Sequence, residues 1–309
     1  MGALEGKAVV ITGAGRGLGA ACAKALAVQG AAVVVNDLDR QHASAIVKVI
    51  NYAGGRAVAH PADISQWSEA KGLIDRCVRE FGTIDGLVNN AAFFSMARLD
   101  ALEEHDIRRS VEVNLIGTIN CAAHAIRPMV TKGKGSIVNV TSGAQMGLEA
   151  LSVYGSTKGA VASLTYGWAA EFGQKGIRVN ALSPLAATRM TDAGDAYYRD
   201  KGLLLTNSVV PPPPENNTPV VEFLLSDASI GVSGQVIRVD GPQLALCTHP
   251  AILLPTINSE GWTFDSVREA FARDLAKRQL PSGIVGMQGT VTHNPSGFWR
   301  TLASEQTIR

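Results

Sequence analysis

Strong net charge and long apolar runs are missing from this chain, each absence excludes a class of function, and we also expect no leader segment. The 28 basic and 27 acidic residues leave a formal net charge of +1, so no field favours nucleic acid or an anionic membrane as a partner. Every long apolar run is broken well short of the roughly 20 residues of a membrane-spanning helix. Residues 1–5 are too few for a signal or transit peptide. We therefore expect a cytoplasmic protein.

Cysteine and histidine are also sparse. No Cys-x-x-Cys pair or disulfide density occurs, and the six histidines form no i, i+4 pair and no cluster with cysteine. We therefore expect neither a disulfide framework nor a bound metal. The four cysteines are Cys22, Cys77, Cys121 and Cys247.

Short β-branched segments alternate with longer helical patterns through the first 240 residues. Several segments, such as 31–35, are apolar at consecutive positions, which indicates strands buried on both faces of a parallel sheet. The alternation predicts an α/β fold, a doubly wound parallel sheet (Rossmann fold) of seven strands flanked by helices. The predicted strands are 7–12, 32–36, 56–59, 84–89, 136–141, 178–182 and 235–239. The predicted helices are 17–29, 40–53, 66–81, 101–130, 153–172 and 219–225.

A glycine-rich turn follows the first predicted strand and precedes an alanine-rich helix. Such a unit directs backbone N–H groups and a helix N-terminus at a pyrophosphate, and a Cβ in the turn would block the phosphate. A flexible turn, a flavoprotein or a methyltransferase would show a similar loop, but the flanking strand and helix favour a dinucleotide. The turn reads Thr12, Gly13, Ala14, Gly15, Arg16, Gly17, Leu18, Gly19.

Asp37 stands just past the second predicted strand, some twenty residues after the turn. A carboxylate there accepts hydrogen bonds from ribose hydroxyls and repels a 2′-phosphate, although a loop or helix-capping aspartate is the alternative. Arg16 argues the other way, since a basic side chain could pair with that phosphate. We expect NAD, with NADP the less favoured cofactor.

Tyr154 and Lys158 are four residues apart at the start of a predicted helix and so share one face. Lowering the pKa of a phenol by about 3 requires roughly 4 kcal/mol, close to what one cation at about 4 Å supplies. Lys158, together with the positive nicotinamide of NAD⁺, can therefore make Tyr154 a proton acceptor. Ser142 ends the preceding strand, where it can donate to a substrate oxygen. Tyr197 and Lys201 repeat the spacing without such a strand, and we treat that pair as a decoy.

Two asparagine positions have structural alternatives. Asn114 interrupts the apolar face of a long predicted helix, where a satisfied core amide is commoner than a catalytic one. Asn89 and Asn90 end the fourth predicted strand, where asparagine often caps a turn.

Taken in order, these motifs resemble the short-chain dehydrogenase/reductase family over about residues 5–242. The resemblance implies that Asp63 holds the adenine amine, that Asn89 packs beside the adenosine, and that Lys158 also binds the nicotinamide ribose. It implies that Asn114 holds a water in a proton relay from Lys158, and it suggests a homodimer or homotetramer. The matching motifs are 12–19, Asp37, Ala62-Asp63, Asn89-Asn90-Ala91, Asn114, Ser142, and Tyr154 with Lys158.

The resemblance also places Ile64, Ala91, Pro184 and Thr188 at the cofactor, with Thr188 matching a threonine that contacts the carboxamide. Three departures stand out. Ala92 replaces the family's glycine, Leu185 replaces the glycine after Pro184, and the segment between Ser142 and Tyr154 is about one residue short.

Residues 1–242 are thus predicted to form a dinucleotide-binding and catalytic domain, and residues 243–309 a C-terminal extension with one amphipathic helix at 264–278. Two interpretations of the extension stay open. It covers the mouth of the active site, or it serves subunit packing or partial disorder at a chain end.

The resulting prediction is an NAD(H)-dependent oxidoreductase that interconverts a small-molecule secondary alcohol and ketone by hydride transfer, using Asn114, Ser142, Tyr154 and Lys158. One alternative is a non-catalytic NAD(H)-binding sensor or scaffold, which has no need of the Ser142, Tyr154 and Lys158 set. Another is a methyltransferase, which rests on the glycine-rich turn alone.

Overall fold

The computed structural model describes residues 2–201, 210–251, 256–257, 259 and 261–279. Within them, eight strands form one sheet. They are β1 (Ala8–Ile11), β2 (Ala32–Val35), β3 (Arg56–Ala59), β4 (Gly86–Asn89), β5 (Gly135–Val140), β6 (Ile177–Pro184), β7 (Val236–Asp240) and β8 (Gln243–Cys247). Their spatial order is β3-β2-β1-β4-β5-β6-β7-β8, and β1 to β7 run parallel. The predicted doubly wound fold is confirmed.

The eighth strand is a difference from the predicted seven. β8 runs antiparallel to β7, with Asp240 opposite Gln243, so only Gly241 and Pro242 make the turn. Gly241 has φ +58°, which a two-residue hairpin turn requires and glycine adopts without strain. Glycine and proline usually interrupt a strand pattern. The seven-strand prediction therefore ended the sheet at β7, one strand too early.

Nine α-helices are found in the same residues: α1 (Gly17–Val28), α2 (Arg40–Tyr52), α3 (Trp67–Phe81), α4 (Glu104–Ser110), α5 (Thr118–Lys132), α6 (Ser152–Phe172), α7 (Arg189–Asp200), α8 (Thr218–Leu225) and α9 (Phe264–Arg273). The predicted single helix 101–130 is wrong in one respect. A π-helical segment, Val111–Gly117, separates α4 from α5. None of these helices has both the length and the apolar composition needed to cross a membrane.

Both faces of the central strands are covered, which explains their consecutive apolar residues. On β1, Val9 and Ile11 pack with the buried residues of α1, α2 and α8, whereas Ala8 and Val10 pack with those of α3 and α5. Successive side chains of a strand point to opposite faces, so each must be apolar when both faces are buried. The sheet thereby fixes its carboxyl edge, where the turns after β1, β2, β4 and β5 meet.

The chain divides into two compact units, Met1–Cys247 and Thr248–Arg309. Strand β8 lies in the first unit, although it belongs to the stretch that the sequence analysis assigns to the extension. In the second unit, Thr263 caps α9 through Ser266. The side chains of Phe264, Val267 and Phe271 are exposed. Residues 280–309 lie outside the described residues, and the role of the extension stays a prediction.

Candidate active site

The turn after β1 is joined to the turn after β4. The Thr12 hydroxyl oxygen accepts hydrogen bonds from the backbone N–H groups of Asn90 and Ala91, each at 3.0 Å. The Asn90 side-chain amide donates to the carbonyl oxygens of Thr12 and Gly13 at 2.9 and 3.0 Å. Gly13 has φ +62°, and a Cβ there would lie 2.7 Å from the Ala91 Cα, so only glycine fits. These contacts place Ala91 beside the glycine-rich turn.

Asp37 joins the end of β2 to the same turn. Its Oδ2 accepts a hydrogen bond from the Gly15 N–H at 2.9 Å, and its Oδ1 accepts one from the Asp39 N–H at 3.0 Å. A Cβ on Gly15 would lie 2.6 Å from Asp37 Oδ2, so the turn can approach the carboxylate only because Gly15 has no side chain. Asp37 is partly exposed, as an acceptor for a sugar hydroxyl must be.

The N-terminus of α1 is exposed at Gly17. Gly17 has φ +53°, and a Cβ on it would come no nearer than 3.6 Å to Thr188 Cγ2. The first turn of α1 carries no acidic residue, and the preceding Arg16 is exposed, whereas Leu18 and Gly19 are buried. Free N–H groups at the positive end of a helix bind phosphate. The residues of this turn therefore fit the pyrophosphate of a dinucleotide.

Asp63 lies next to Asp37 at this edge, since the Ala62 N–H donates to the Asp37 carbonyl at 3.3 Å. Its Oδ1 accepts from the backbone N–H and the hydroxyl of Ser65, and its Oδ2 accepts from Arg109 at 3.0 Å. Partial burial acts to raise the pKa of Asp63, but these hydrogen bonds outweigh burial and hold the pKa below its usual value. The Asp63 carboxylate is ionised and fixed in one orientation.

Two further residues of the predicted cofactor site are core residues in the fold. Ile64 packs on Gly117 so closely that a Cβ there would lie 2.7 Å from Ile64 Cγ1. Asn89 is buried and donates its side-chain amide to Asn139 Oδ1 at 2.9 Å, which links β4 to β5. The structure thus gives Ile64 and Asn89 packing roles, and their contact with a cofactor stays a prediction.

The structure brings Ser142, Tyr154 and Lys158 together at the carboxyl end of β5. Tyr154 and Lys158 lie on α6, and both are buried, with 8% and 2% of their surface exposed. The Lys158 ammonium donates to the Val140 carbonyl at 2.7 Å and lies 5.8 Å from the centre of the Tyr154 ring. The Ser142 side chain lies near enough to the Tyr154 hydroxyl to lower the pKa of that hydroxyl.

Close backbone packing makes this arrangement possible. A Cβ on Gly155 would lie 2.4 Å from the Ala144 carbonyl oxygen, so α6 can approach the turn that carries Ser142 only because residue 155 is glycine. Ala150, just before α6, has φ +61°, an unfavourable conformation for a residue with a side chain. Its carbonyl accepts from the Ala97 N–H at 3.0 Å.

The ionisation of the pair differs from the expectation in one respect. Burial raises the pKa of Tyr154 to about 12, and the hydrogen bond with Ser142 only partly opposes this. Burial lowers the pKa of Lys158 to about 8. Among the chain's own groups, burial therefore dominates, because it disfavours the charged form of both side chains. The expected lowering of the Tyr154 pKa by Lys158 and the positive nicotinamide stays a prediction.

Asn114 lies inside the π-helical segment and is fully buried. Its Oδ1 accepts from the Phe93 N–H at 2.7 Å, and its Nδ2 donates to the Phe93 carbonyl at 3.0 Å and to Thr157 Oγ1 at 3.1 Å. These bonds fix the chain after β4 against α6. The relay to Lys158 stays a prediction.

Pro184 and Thr188 follow the end of β6 towards α7. Pro184 is the last residue of β6, and the Thr188 N–H donates to Thr191 Oγ1 at 2.8 Å, which caps α7. The Thr188 methyl group lies opposite Gly17, where an added Cβ would just reach van der Waals contact with it. In contrast, Tyr197 lies on α7, and Lys201 follows that helix and pairs with Asp200 at 3.9 Å.

The sequence analysis missed Phe94 and Arg109. The Phe94 ring packs edge-on against Tyr154, with ring centroids 5.0 Å apart and an angle of 80° between their planes. An aromatic residue soon after the carboxyl end of a central strand is a signal that could have identified it. Arg109 carried no such signal, because its partner Asp63 is 46 residues away.

Comparison with known proteins agrees with this geometry. Residues 7–199 match a family described as short chain dehydrogenase. An uncharacterized oxidoreductase of Methylorubrum extorquens is 40% identical over 247 residues, which is 78% of this chain and 99% of that protein.

Solved structures show the same similarity. A short chain dehydrogenase from Mycobacterium avium superposes with a TM-score of 0.78 at 32% identity, covering 91% of this chain and 98% of that one. A 7α-hydroxysteroid dehydrogenase complexed with NADH and 7-oxo glycochenodeoxycholic acid gives 0.71 at 32% identity, covering 77% and 94%. A gluconate 5-dehydrogenase from Burkholderia cenocepacia, complexed with NADP and tartrate, gives 0.69 at 34% identity, covering 77% and 95%.

Proposed function

Since the chain belongs to the short-chain dehydrogenase family and is an NAD(P)-dependent oxidoreductase acting on CH–OH groups, we propose that it uses NAD(H) to interconvert a secondary alcohol and a ketone, with Tyr154 as acid–base group. The observation that carries the proposal is the cluster at the end of β5. There the Tyr154 ring lies 5.8 Å from the buried Lys158 ammonium, which donates to the Val140 carbonyl, and Ser142 acts on the Tyr154 hydroxyl.

Tyr154 is the group that exchanges a proton with the substrate oxygen. The chain's own groups set the pKa of Tyr154 at about 12, so at neutral pH the hydroxyl holds its proton and can donate it during ketone reduction. For alcohol oxidation the phenol must accept a proton, which requires additional positive charge nearby. When bound, the nicotinamide ring supplies or accepts the hydride and, in its oxidised form, also supplies positive charge.

Ser142 and Lys158 assist in different ways. Ser142 has a single O–H donor beside the Tyr154 hydroxyl, and it can turn this donor to the carbonyl oxygen of the substrate. The Lys158 ammonium has three donors, of which Val140 occupies one, so two remain for a ribose hydroxyl and a water near Asn114. Asn114 contributes further by fixing Phe93, which precedes the Phe94 ring against Tyr154.

The glycine-rich turn and Asp37 support NAD over NADP. The Asp37 carboxylate is held at the turn by Gly15 and Asp39, where its negative charge would repel a 2′-phosphate. Asp63, Ile64, Asn89 and Ala91 are the proposed adenosine side of the site, and Pro184 with Thr188 the nicotinamide side.

Assays of secondary alcohols with NAD⁺ and NADP⁺, and of the matching ketones with NADH and NADPH, test this function. We expect turnover of at least one alcohol–ketone pair, faster with NAD(H), followed by the absorbance of the reduced cofactor. Tight NADH binding without turnover of any pair would instead favour a sensor or scaffold. The expected homodimer or homotetramer is measured by light scattering of the same preparation.

A further inference from the structure

Arg109 and Asp63 form an ion pair that links α4 to the turn after β3. Arg109 Nη2 lies 3.0 Å from Asp63 Oδ2, and the two side chains are only 26% and 22% exposed. Arg109 Nη1 also lies 3.5 Å from Ser65 Oγ and 3.7 Å from Glu112 Oε2. A partly buried guanidinium with several acceptors has little freedom to move, so the pair is a fixed feature of this edge of the sheet.

The hydrogen bonds of Asp63 leave one acceptor position open. An ionised carboxylate has about four acceptor positions. The Ser65 N–H and hydroxyl occupy two on Oδ1, at 3.0 and 2.7 Å, and Arg109 occupies one on Oδ2. The remaining position is on Oδ2, and its direction is set by the guanidinium that shares that oxygen.

The charges around Asp63 make Arg109 necessary for this state. Glu69, on α3, accepts the Asp63 backbone N–H at 2.7 Å, and Glu112 is at the start of the π-helical segment. Arg109 pairs with Asp63 and Glu112. Without it, only the Ser65 hydrogen bonds would oppose the effect of burial, so the pKa of Asp63 would rise, and a protonated carboxyl is a weaker acceptor.

We propose that Arg109 is a positioning residue for the cofactor: it orients Asp63 so that the open position on Oδ2 accepts a hydrogen bond from the amino group of the adenine ring. The inference rests on the proposed function, which places the adenosine half of the dinucleotide beside Asp37 and Asp63. It goes further by assigning a role to Arg109, which neither motif nor spacing indicates.

If Arg109 orients Asp63, the chain should discriminate between adenine and hypoxanthine dinucleotides, which a merely structural ion pair would not do. Nicotinamide hypoxanthine dinucleotide carries a carbonyl oxygen where NADH carries the adenine amino group. That oxygen would face the Asp63 carboxylate as acceptor against acceptor, so the chain should bind the hypoxanthine form more weakly. The discrimination should depend on Arg109, because Arg109 aims the carboxylate.

The test is fluorescence titration of the full chain with NADH and with reduced nicotinamide hypoxanthine dinucleotide. We expect Arg109→Met to raise the Kd for NADH roughly five- to tenfold and to bring the two Kd values within about twofold of each other. Arg109→Lys should restore part of the discrimination, and it also serves if the methionine variant does not fold. Arg108→Gln is the matched control, since Arg108 pairs with the exposed Glu104 on the same helix.

The pH dependence of binding gives a second readout. In the wild type, the lowered pKa of Asp63 keeps the acceptor ionised as the pH falls. In Arg109→Met that pKa rises, so the Kd for NADH should begin to increase at a higher pH than in the wild type. Equal weakening of both dinucleotides, or wild-type values for both, would overturn the role of Arg109. A wild-type chain that binds neither dinucleotide would instead overturn the proposed function itself.

Discussion

The Lys158 ammonium donates a hydrogen bond to the Val140 carbonyl across 2.7 Å, which fastens the buried cation of α6 to the last residue of β5. The strand that carries Ser142 at its end therefore also determines where the lysine lies. A Tyr-x-x-x-Lys spacing alone is therefore weak evidence for an active site. The lysine also needs a carbonyl at the end of a central strand to hold its ammonium.

Tyr154→Phe should abolish turnover while leaving the cofactor site intact. The variant removes the exchanging hydroxyl, and general acid–base groups contribute about 10²- to 10⁴-fold to rate. It keeps the ring that packs against Phe94, so we expect the Kd for NADH to stay within about twofold of wild type. Turnover is measured by steady-state kinetics and binding by NADH fluorescence.

Tyr197→Phe is the matched control for that variant, because Tyr197 has a lysine at the same spacing but lies on α7. It should keep the wild-type rate. Retention of most activity by Tyr154→Phe would show that the proton is exchanged elsewhere.

Lys158→Met should lower activity and yet raise the stability of the chain measured without cofactor. Burial lowers the pKa of Lys158 from 10.5 to about 8, so below pH 8 the folded chain carries a cost of roughly 3 kcal/mol for holding the charge. Methionine avoids that cost and loses only the hydrogen bond to Val140. Urea unfolding at pH 7 should show the difference.

The pH dependence of that difference has a definite sign. Between pH 8 and 10.5 the unfolded lysine keeps its proton while the folded one releases it, so wild-type stability rises with pH relative to the variant. The advantage of Lys158→Met should therefore shrink across this range. A variant that is less stable than wild type by the same amount at every pH would contradict the prediction.

Gly13→Ala should destabilise the fold more than Gly17→Ala, although both glycines have positive φ. A Cβ at position 13 would lie 2.7 Å from the Ala91 Cα, so backbone must move, whereas one at position 17 would lie 3.6 Å from Thr188 Cγ2. We expect Gly17→Ala to cost only about 1 kcal/mol, from its backbone conformation. Thermal unfolding of both variants measures the difference.

The effect on binding should not follow the effect on stability. Gly17→Ala adds a methyl group to the exposed N-terminus of α1, next to Thr188, so it should weaken NADH binding in a chain that stays folded. Equal losses of stability in the two variants would show that the Ala91 contact relaxes easily.

Local patterns predicted the fold well where one rule decides the structure. Consecutive apolar residues identified the central strands. The glycine-rich turn was predicted between the first strand and the first helix, and the structure has it there, between β1 and α1. The sequence could not reveal the π-helical segment, because its apolar spacing continues that of a regular helix. The segment is accompanied by tertiary bonds of Asn114 to Phe93 and Thr157, which no local rule anticipates.

The same limit applies to the candidate site. Ser142, Tyr154 and Lys158 were predictable because strand end and helix start are close in sequence. The ionisation of Tyr154 was not, since the extent of its burial depends on how Phe94 and the turn after β5 pack around it. The ion pair of Arg109 with Asp63 likewise exists only once α4 and the turn after β3 are brought together.

Asp37→Asn should shift cofactor preference from NAD towards NADP. Asparagine keeps an acceptor for the Gly15 N–H and removes the negative charge, so the variant isolates electrostatics from turn structure. Arg16 is exposed and makes no ion pair within the described part of the chain, which leaves its guanidinium available for a 2′-phosphate. We expect the ratio of kcat/KM for NADP⁺ over NAD⁺ to rise at least about tenfold.

Two controls decide what causes that shift. Asp39→Asn removes an equal charge two residues away, but Asp39 caps α2 by accepting from Gln41 and His42, so the cofactor ratio should stay near wild type. Adding Arg16→Ala to Asp37→Asn should remove much of the gain for NADP⁺. If Asp39→Asn shifts the ratio as much as Asp37→Asn does, the preference arises from the summed negative charge after β2 and not from one carboxylate placed at the ribose.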